Sequence, residues 1–233
     1  MTEGVNQGTT RGQSACGQCR IQDRVLFADL DAGDFSALAG PIDDVELPPG
    51  GTLYRAGQPA TALYTVRTGV IKLEQYLADG TRRIVGLASQ GDLLGLEGTV
   101  AETYEHTAIA LHPASVCRIP KTIIDGMEPK LNRQIMRKWH DSARKAHASI
   151  RDLGTGHARQ RVARLFLVLA PPSTPRCRLF GREDVGALLG VTTETASRTI
   201  AEFKRHGLVA EVATNVFTRD IAALERIAAG DEG

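Results

Sequence analysis

One stretch of the chain is predicted to be a single long helix, and the sequence patterns before and after it differ. Leu131 to Leu153 contains neither proline nor glycine, and its apolar or small residues recur every three or four positions, as they do along one face of an α-helix. These residues are Ile135, Trp139, Ser142, Ala146 and Ile150. A narrow stripe on an otherwise charged helix favours self-association as a parallel pair. The alternative is that the stripe packs against the chain's own domain.

The region before this helix consists of short apolar segments separated by turn residues. Between Val45 and Pro120 the breaks fall at Pro49-Gly50-Gly51, Gly57, Gly69, Asp79-Gly80 and Gly91. Many short strands with closely spaced turns are typical of antiparallel sandwiches and barrels. Asp79-Gly80 favours a hairpin, because both residues tolerate positive φ. The sequence therefore predicts a small antiparallel β-roll.

The region after the long helix predicts two helices joined by a tight turn. The first covers Arg182 to Leu189, Gly190 supplies the turn, and Thr192 can cap a second helix ending near Arg205. Two short apolar segments follow, with Asn215 near the turn between them, and they have the pattern of a hairpin wing. The sequence therefore predicts a winged helix-turn-helix.

Three side chains near the start of the second helix share one face. Glu194, Ser197 and Arg198 stand at i, i+3 and i+4. In a major groove, arginine can donate two bonds to guanine and glutamate can accept from the cytosine amino group, while threonine hydroxyls can bind phosphate oxygens. The alternative is a surface ion pair between Glu194 and Arg198. The predicted DNA-binding residues are Thr192, Thr193, Glu194, Thr195, Ser197 and Arg198.

Composition and motifs limit the other functions. The net charge of +1 on 233 residues means that any DNA-binding surface is local. No apolar run approaches the roughly 20 residues of a membrane span, and no phosphate loop, metalloprotease histidine pair or nucleophile elbow is present. We expect a cytoplasmic, non-enzymatic protein that binds double-stranded DNA and no membrane. The alternative is a ligand-binding β-roll that regulates a partner protein without binding DNA.

Four segments resemble the CRP/FNR family of transcription regulators. They are Tyr64–Lys72, Gly91–Gly95, Arg159–Ala163 and Val191–Arg198. The last has the E-x-x-S-R form of the FNR branch, which implies a TTGAT-N4-ATCAA palindrome. The resemblance also implies a cyclic-nucleotide-binding-like β-roll, a homodimer whose symmetry matches the palindrome, and RNA polymerase as a partner.

The resemblance leaves the signal open. FNR-type oxygen sensors hold a [4Fe-4S] cluster with four cysteines, and Cys16, Cys19 and Cys117 match three of them. The remaining N-terminal cysteine is absent, because Val25 or Phe27 stands at its place. Cys177 lies in the DNA-binding half and is a poor substitute.

These cysteines allow three interpretations. An oxygen ligand such as Asp23 or Asp29 could complete a cluster, or the cysteines could be thiol switches or remnants. The signal could also differ, as in haem-mediated NO sensing or simple control by expression level. Cyclic AMP is not expected, because Tyr104–Thr107 stands where the family places an Arg-Ser pair, and Glu105 would repel a phosphate.

These patterns divide an α+β chain into four parts. They are a flexible tail with the C-x2-C pair at 1–19, a β-roll sensor domain at 20–128, a dimerisation helix at 129–154 and a winged helix-turn-helix domain at 155–233.

Overall fold

The chain forms two compact units, and the computed structural model describes residues 9–13, 26–27, 42–126, 128–171 and 173–231. The first unit contains the described residues of Met1–Leu77 and Val85–Arg144. The second contains those of Ala78–Ile84 and Lys145–Gly233. Within the described ranges, no helix is both long enough and apolar enough to cross a membrane.

Short antiparallel strands in two sheets dominate the first unit. The strands are β1 (Thr9–Gln13), β2 (Asp43–Leu47), β3 (Thr52–Tyr54), β4 (Ala62–Thr68), β5 (Ile71–Tyr76), β6 (Arg82–Ala88), β7 (Leu93–Leu94), β8 (Thr107–Ala110) and β9 (Ala114–Pro120). One sheet has the order β1-β2-β9-β4-β7 and the other β3-β8-β5-β6. The predicted antiparallel β-roll is confirmed.

Strand β1 lies within the stretch that the sequence analysis assigns to a flexible tail. It pairs antiparallel with β2, and Thr9 lies opposite Glu46. Its threonines are β-branched and favour extended backbone, and pairing with β1 satisfies backbone groups along one side of β2. The remainder of the predicted tail, with Cys16 and Cys19, lies outside the described residues.

The predicted hairpin turn between β5 and β6 is present, with Gly80 but not Asp79 at positive φ. Gly80 has a φ of 81°, a region that glycine enters without steric cost. The Asp79 carboxylate accepts a hydrogen bond from the Thr81 backbone N–H at 2.8 Å. The Asp-Gly pair therefore closes the hairpin as the sequence indicates.

Helices α1 (Lys121–Gly126) and α2 (Glu128–Leu153) follow the strands. The predicted long helix is confirmed. The alternative in which the stripe packs on the chain's own domain holds for Ile135, and self-association stays a prediction. Ile135 is 8% exposed and packs with Leu131 and Ile119 in the core of the first unit. Trp139 and Ile150 are exposed, as is Met136 on the same side of the helix. Helix α2 thus has one face buried in its own chain and a second apolar face open to solvent.

The second unit contains the last residues of α2 and the first residues of β6, together with four complete helices of the described chain and a small sheet. Its elements are α3 (Ala158–Val168), β10 (Arg176–Arg178), α4 (Arg182–Leu189), α5 (Thr193–Arg205), β11 (Val209–Ala213), β12 (Val216–Arg219) and α6 (Ile221–Ala229). The sheet order is β10-β12-β11. The predicted wing is confirmed as the β11–β12 hairpin, with Asn215 at a φ of 58° in its turn. The aromatic rings of Phe166, Phe203 and Phe217 pack together in the core.

A buried arginine of β12 holds the C-terminal end of α3. The Arg219 side chain donates to the carbonyl oxygens of Phe166 at 2.6 Å, Ala170 at 3.1 Å and Pro171 at 3.0 Å, and also to that of Thr174. The last carbonyls of a helix have no intrahelical partner, and they carry partial negative charge. Arg219 satisfies these groups and ties the wing sheet to α3.

Candidate nucleic-acid interface

The turn between α4 and α5 depends on two glycines. Gly190 ends α4 with a φ of 65°, and the Val191 N–H donates to the Gly186 carbonyl at 3.1 Å. A Cβ at Gly186 would lie 2.8 Å from the Val191 carbonyl oxygen, which is closer than side chains tolerate. Small residues at both positions therefore allow the chain to turn sharply into α5.

The start of α5 is capped by its own threonines. The Thr192 hydroxyl accepts from the Thr195 N–H at 3.1 Å and donates to the Thr195 hydroxyl at 2.9 Å. This is the N-cap arrangement expected for threonine. It leaves the hydroxyl hydrogen of Thr195 available as a donor to an external anion.

Helix α5 has a buried face and an exposed face. Ala196, Thr199, Ile200 and Phe203 are buried. On the other side, Glu194 and Arg198 are exposed and Ser197 is partly exposed. Glu194 and Arg198 make no ion pair with each other in the described structure, so the surface-pair alternative is not realised. The exposed face lies at the N-terminal end, where backbone N–H groups and the helix dipole favour anions.

The six predicted DNA-binding residues lie together on the first two turns of α5 and its cap. Thr192, Thr193, Glu194 and Arg198 are exposed, while Thr195 and Ser197 are partly buried. Two exposed basic residues, Lys204 and Arg205, follow in the last turn. The surface can therefore offer donors to phosphates and both donors and acceptors to base edges.

Ion pairs connect the C-terminal half of α5 to α3 and to the wing. Arg159 of α3 pairs with Glu202 at 2.9 Å and lies over the Phe203 ring at 5.9 Å. Lys204 pairs with Glu211 of the wing at 2.8 Å, and this contact holds the pKa of the Glu211 carboxyl below its usual range. The sequence analysis did not identify these contacts, because each joins charges from separate elements.

The predicted metal ligands are only partly within the described structure. Cys117 lies on β9 with 8% exposure, and its Sγ is 3.7 Å from Oδ1 of Asp44. Cys16 and Cys19 lie outside the described residues, as do Asp23 and Asp29. Among the residues that are described, no group of three or more metal-binding side chains comes together.

Cys177 is a buried thiol on β10. Burial raises its pKa, and the nearby Arg219 charge acts in the opposite direction. A raised pKa keeps the sulfur as a thiol, which is the less reactive form.

Tyr104, the first residue of the Tyr104–Thr107 stretch, is part of the core of the first unit. Tyr104 stacks on Tyr54 with ring centroids 4.0 Å apart. Its hydroxyl donates to the Ala62 carbonyl at 2.7 Å and accepts from the Ala62 N–H at 3.2 Å. The Tyr104 side chain therefore packs against Tyr54 and forms hydrogen bonds with the Ala62 backbone.

Comparison with known proteins finds two family models that match this chain. Residues 44–127 match the family described as Cyclic nucleotide-binding domain, and residues 160–227 match the Crp-like helix-turn-helix domain. Electron transport regulator A of Shewanella oneidensis is 30% identical over 83% of this chain and 82% of that protein. Transcriptional activator protein FnrA of Stutzerimonas stutzeri is 29% identical over 99% of this chain and 98% of that protein.

Solved structures share the fold. A transcriptional regulator of the CRP family from Thermus thermophilus is 27% identical, with a TM-score of 0.68, over 79% of this chain and 96% of that one. The chain therefore belongs to the CRP/FNR family of transcription regulators, carries a DNA-binding helix-turn-helix domain and is not an enzyme.

Proposed function

We propose that this regulator binds a TTGAT-N4-ATCAA palindrome as a homodimer and reads each half-site with Glu194, Ser197 and Arg198. The observation that carries the proposal is the exposed trio at the capped N-terminal end of α5, opposite its buried face. A helix presented in this way can place its first turns in the major groove.

Each side chain has a chemical role in this proposal. Arg198 donates two hydrogen bonds to the O6 and N7 atoms of guanine, and Glu194 accepts from the N4 amino group of cytosine. Ser197, one turn from Glu194, can contact either kind of base edge. Thr195 donates its hydroxyl hydrogen to a phosphate and fixes the helix on the duplex.

A gel shift with matched duplexes tests the proposal. Wild-type protein should retard the TTGAT palindrome. In the comparison duplex, the G·C pairs of both half-sites are changed to A·T. The protein should bind this duplex at least tenfold more weakly. Both duplexes are run at the same salt concentration, because phosphate contacts depend on it. Equal retardation of the two duplexes would contradict sequence-specific reading of this site.

The exposed face of α2 supports the homodimer. Met136, Trp139, Ala143, Ala146 and Ile150 are exposed and are spaced alternately by three and four residues. This is the a and d pattern of a parallel coiled pair. We propose a second copy of this chain as the occupant of the face, which we call the α2 seam.

A charge placed in the α2 seam should separate the dimer. Ala143→Glu is expected to shift sedimentation from two chains to one and to weaken palindrome binding at least tenfold, because like carboxylates would face each other in an apolar contact. Arg144→Glu introduces the same side chain one position away, outside the seam, and should stay dimeric. A dimeric Ala143→Glu variant would place the interface elsewhere.

We also propose that the regulator responds to oxygen, redox or NO-related signals, with Cys16, Cys19 and Cys117 as the responsive groups. A four-thiolate cluster does not fit this set, which is one cysteine short. Support comes from the partial FNR cysteine pattern and from a relative whose name refers to electron transport.

Air exposure should therefore change DNA binding in a cysteine-dependent way. The affinity of anaerobically purified protein for the palindrome should change severalfold on exposure to air, and Cys117→Ser should abolish that change. Cys177→Ser is the control and should respond like wild type, because Cys177 lies outside the proposed set and the pKa of its thiol is raised. The redox proposal would be contradicted if the protein were colourless and free of iron and its affinity for the palindrome did not change on exposure to air.

The remaining parts of the proposal follow from DNA binding. We propose residues 20–128 as the sensor domain, 129–154 as the dimerisation helix and 155–233 as the DNA-binding domain. Because the proposed function requires contact with the chromosome, we propose a cytoplasmic location. Because it also requires control of transcription, we propose RNA polymerase as a partner.

A further inference from the structure

The second unit includes a segment from a distant part of the sequence. Ala78–Ile84, which carries the turn between β5 and β6, belongs to this unit together with Lys145–Gly233. Two consecutive arginines of the segment, Arg82 and Arg83, lie against the two ends of α4. Helix α4 is the first helix of the helix-turn-helix.

Arg82 contacts the first turn of α4. Its Nη1 lies 2.6 Å from Oδ1 of Asp184, and its Nη2 lies 2.9 Å from Oε1 of Glu183. The side chains of Arg82 and Asp184 are only 17% and 21% exposed. A short, largely shielded guanidinium–carboxylate contact is stronger and more directional than an exposed ion pair.

The first turn of α4 lacks a side-chain cap. Its N-cap is Gly181, which makes no side-chain hydrogen bond to the helix. The two carboxylates suit the positive end of the helix dipole, and Arg82 fixes their position.

Two arginines also lie beside the other end of α4. Nη1 of Arg83 lies 3.0 Å from the place that a Cβ at Gly190 would occupy. Arg161 of α3 donates to the Leu189 carbonyl at 2.5 Å. The segment therefore contacts α4 at its first turn and beside the tight turn that leads into α5.

We propose that Arg82 is a positioning residue for DNA reading. Through Asp184 and Glu183 it fixes α4, and the tight turn at Gly190 passes that orientation to α5. DNA affinity then depends on a residue that lies outside the helix-turn-helix sequence. The inference rests on the DNA-reading role proposed for α5.

A double-mutant cycle separates positioning from simple charge effects. Arg82→Gln and Asp184→Asn should each weaken palindrome binding about tenfold, and the double variant should be no weaker than either single one, as expected for coupled residues. If Arg82 acted only as a positive charge near DNA, Asp184→Asn would strengthen binding. Arg82→Lys should recover part of the affinity, and Arg55→Gln, an exposed arginine of the first unit, should bind like wild type.

Hydrogen exchange without DNA tests the same inference independently. Arg82→Gln should speed exchange of the α4 amides and leave those of β2 and β9 unchanged, because only α4 loses its anchor. If wild-type protein fails to bind the palindrome, the proposed function is wrong, and this measurement alone decides the role of Arg82. Unchanged α4 exchange, or additive effects in the cycle, would overturn the inference.

Discussion

Replacing Arg198 with alanine is expected to weaken binding to the TTGAT palindrome by about 1–3 kcal/mol and to remove the preference for guanine at the base it contacts. The physical reason is the loss of two hydrogen bonds to a base edge, which no neighbouring side chain replaces. Fluorescence anisotropy with the palindrome and with duplexes substituted at the guanine position measures both effects.

A second arginine of the same helix provides the control. Arg205 is exposed in the last turn of α5, away from the end that enters the groove. Arg205→Ala should lower the affinity for all duplexes alike and reduce the salt dependence, as the loss of a phosphate contact does. If Arg198→Ala kept its full selectivity for guanine, the assignment of this side chain to a base would be wrong.

Replacing Arg219 with methionine is expected to lower the free energy of unfolding of the second unit by about 2–4 kcal/mol, because buried carbonyl groups lose a charged donor. Arg219 is 8% exposed, so water cannot easily replace the guanidinium. Methionine keeps an apolar stem of similar length and removes the hydrogen bonds. Thermal denaturation should show a fall of roughly 5–15 °C in the melting temperature.

The control for Arg219 lies on the same small sheet. Arg178 of β10 is exposed, and Arg178→Met should melt within about 2 °C of wild type, as exposed substitutions usually do. Arg219→Lys should fall between wild type and Arg219→Met, because one ammonium group cannot reach carbonyls on several sides. If Arg219→Met and wild type melted at the same temperature, the Arg219 hydrogen bonds would contribute nothing to stability.

Local signals made much of the fold predictable. Asp79-Gly80 predicted the β5–β6 turn, and Gly190 with Thr192 predicted the turn and cap of the helix-turn-helix, because these residues act on the backbone within a few positions. Helical spacing also predicted that the six candidate DNA-binding residues lie together at the start of α5, and their contact with DNA stays a prediction.

Contacts between distant residues could not be predicted. Nothing near Arg82 or Arg219 indicates their partners, which are α4 carboxylates in one case and the end of α3 in the other. Periodicity also could not separate the two apolar faces of α2, because Ile135 and Met136 are adjacent, yet one is buried and the other exposed. The Thr9–Gln13 strand was missed because pairing with β2, rather than its own composition, stabilises it.

DNA reading by a symmetric dimer is tested most directly with two duplexes, the full palindrome and one in which a half-site is destroyed. The stoichiometry and the affinity of wild-type protein are measured on both. We predict two chains per full palindrome, and affinity reduced by at least tenfold when one half-site is lost. One chain per duplex, or equal affinity for the two duplexes, would contradict the central claim.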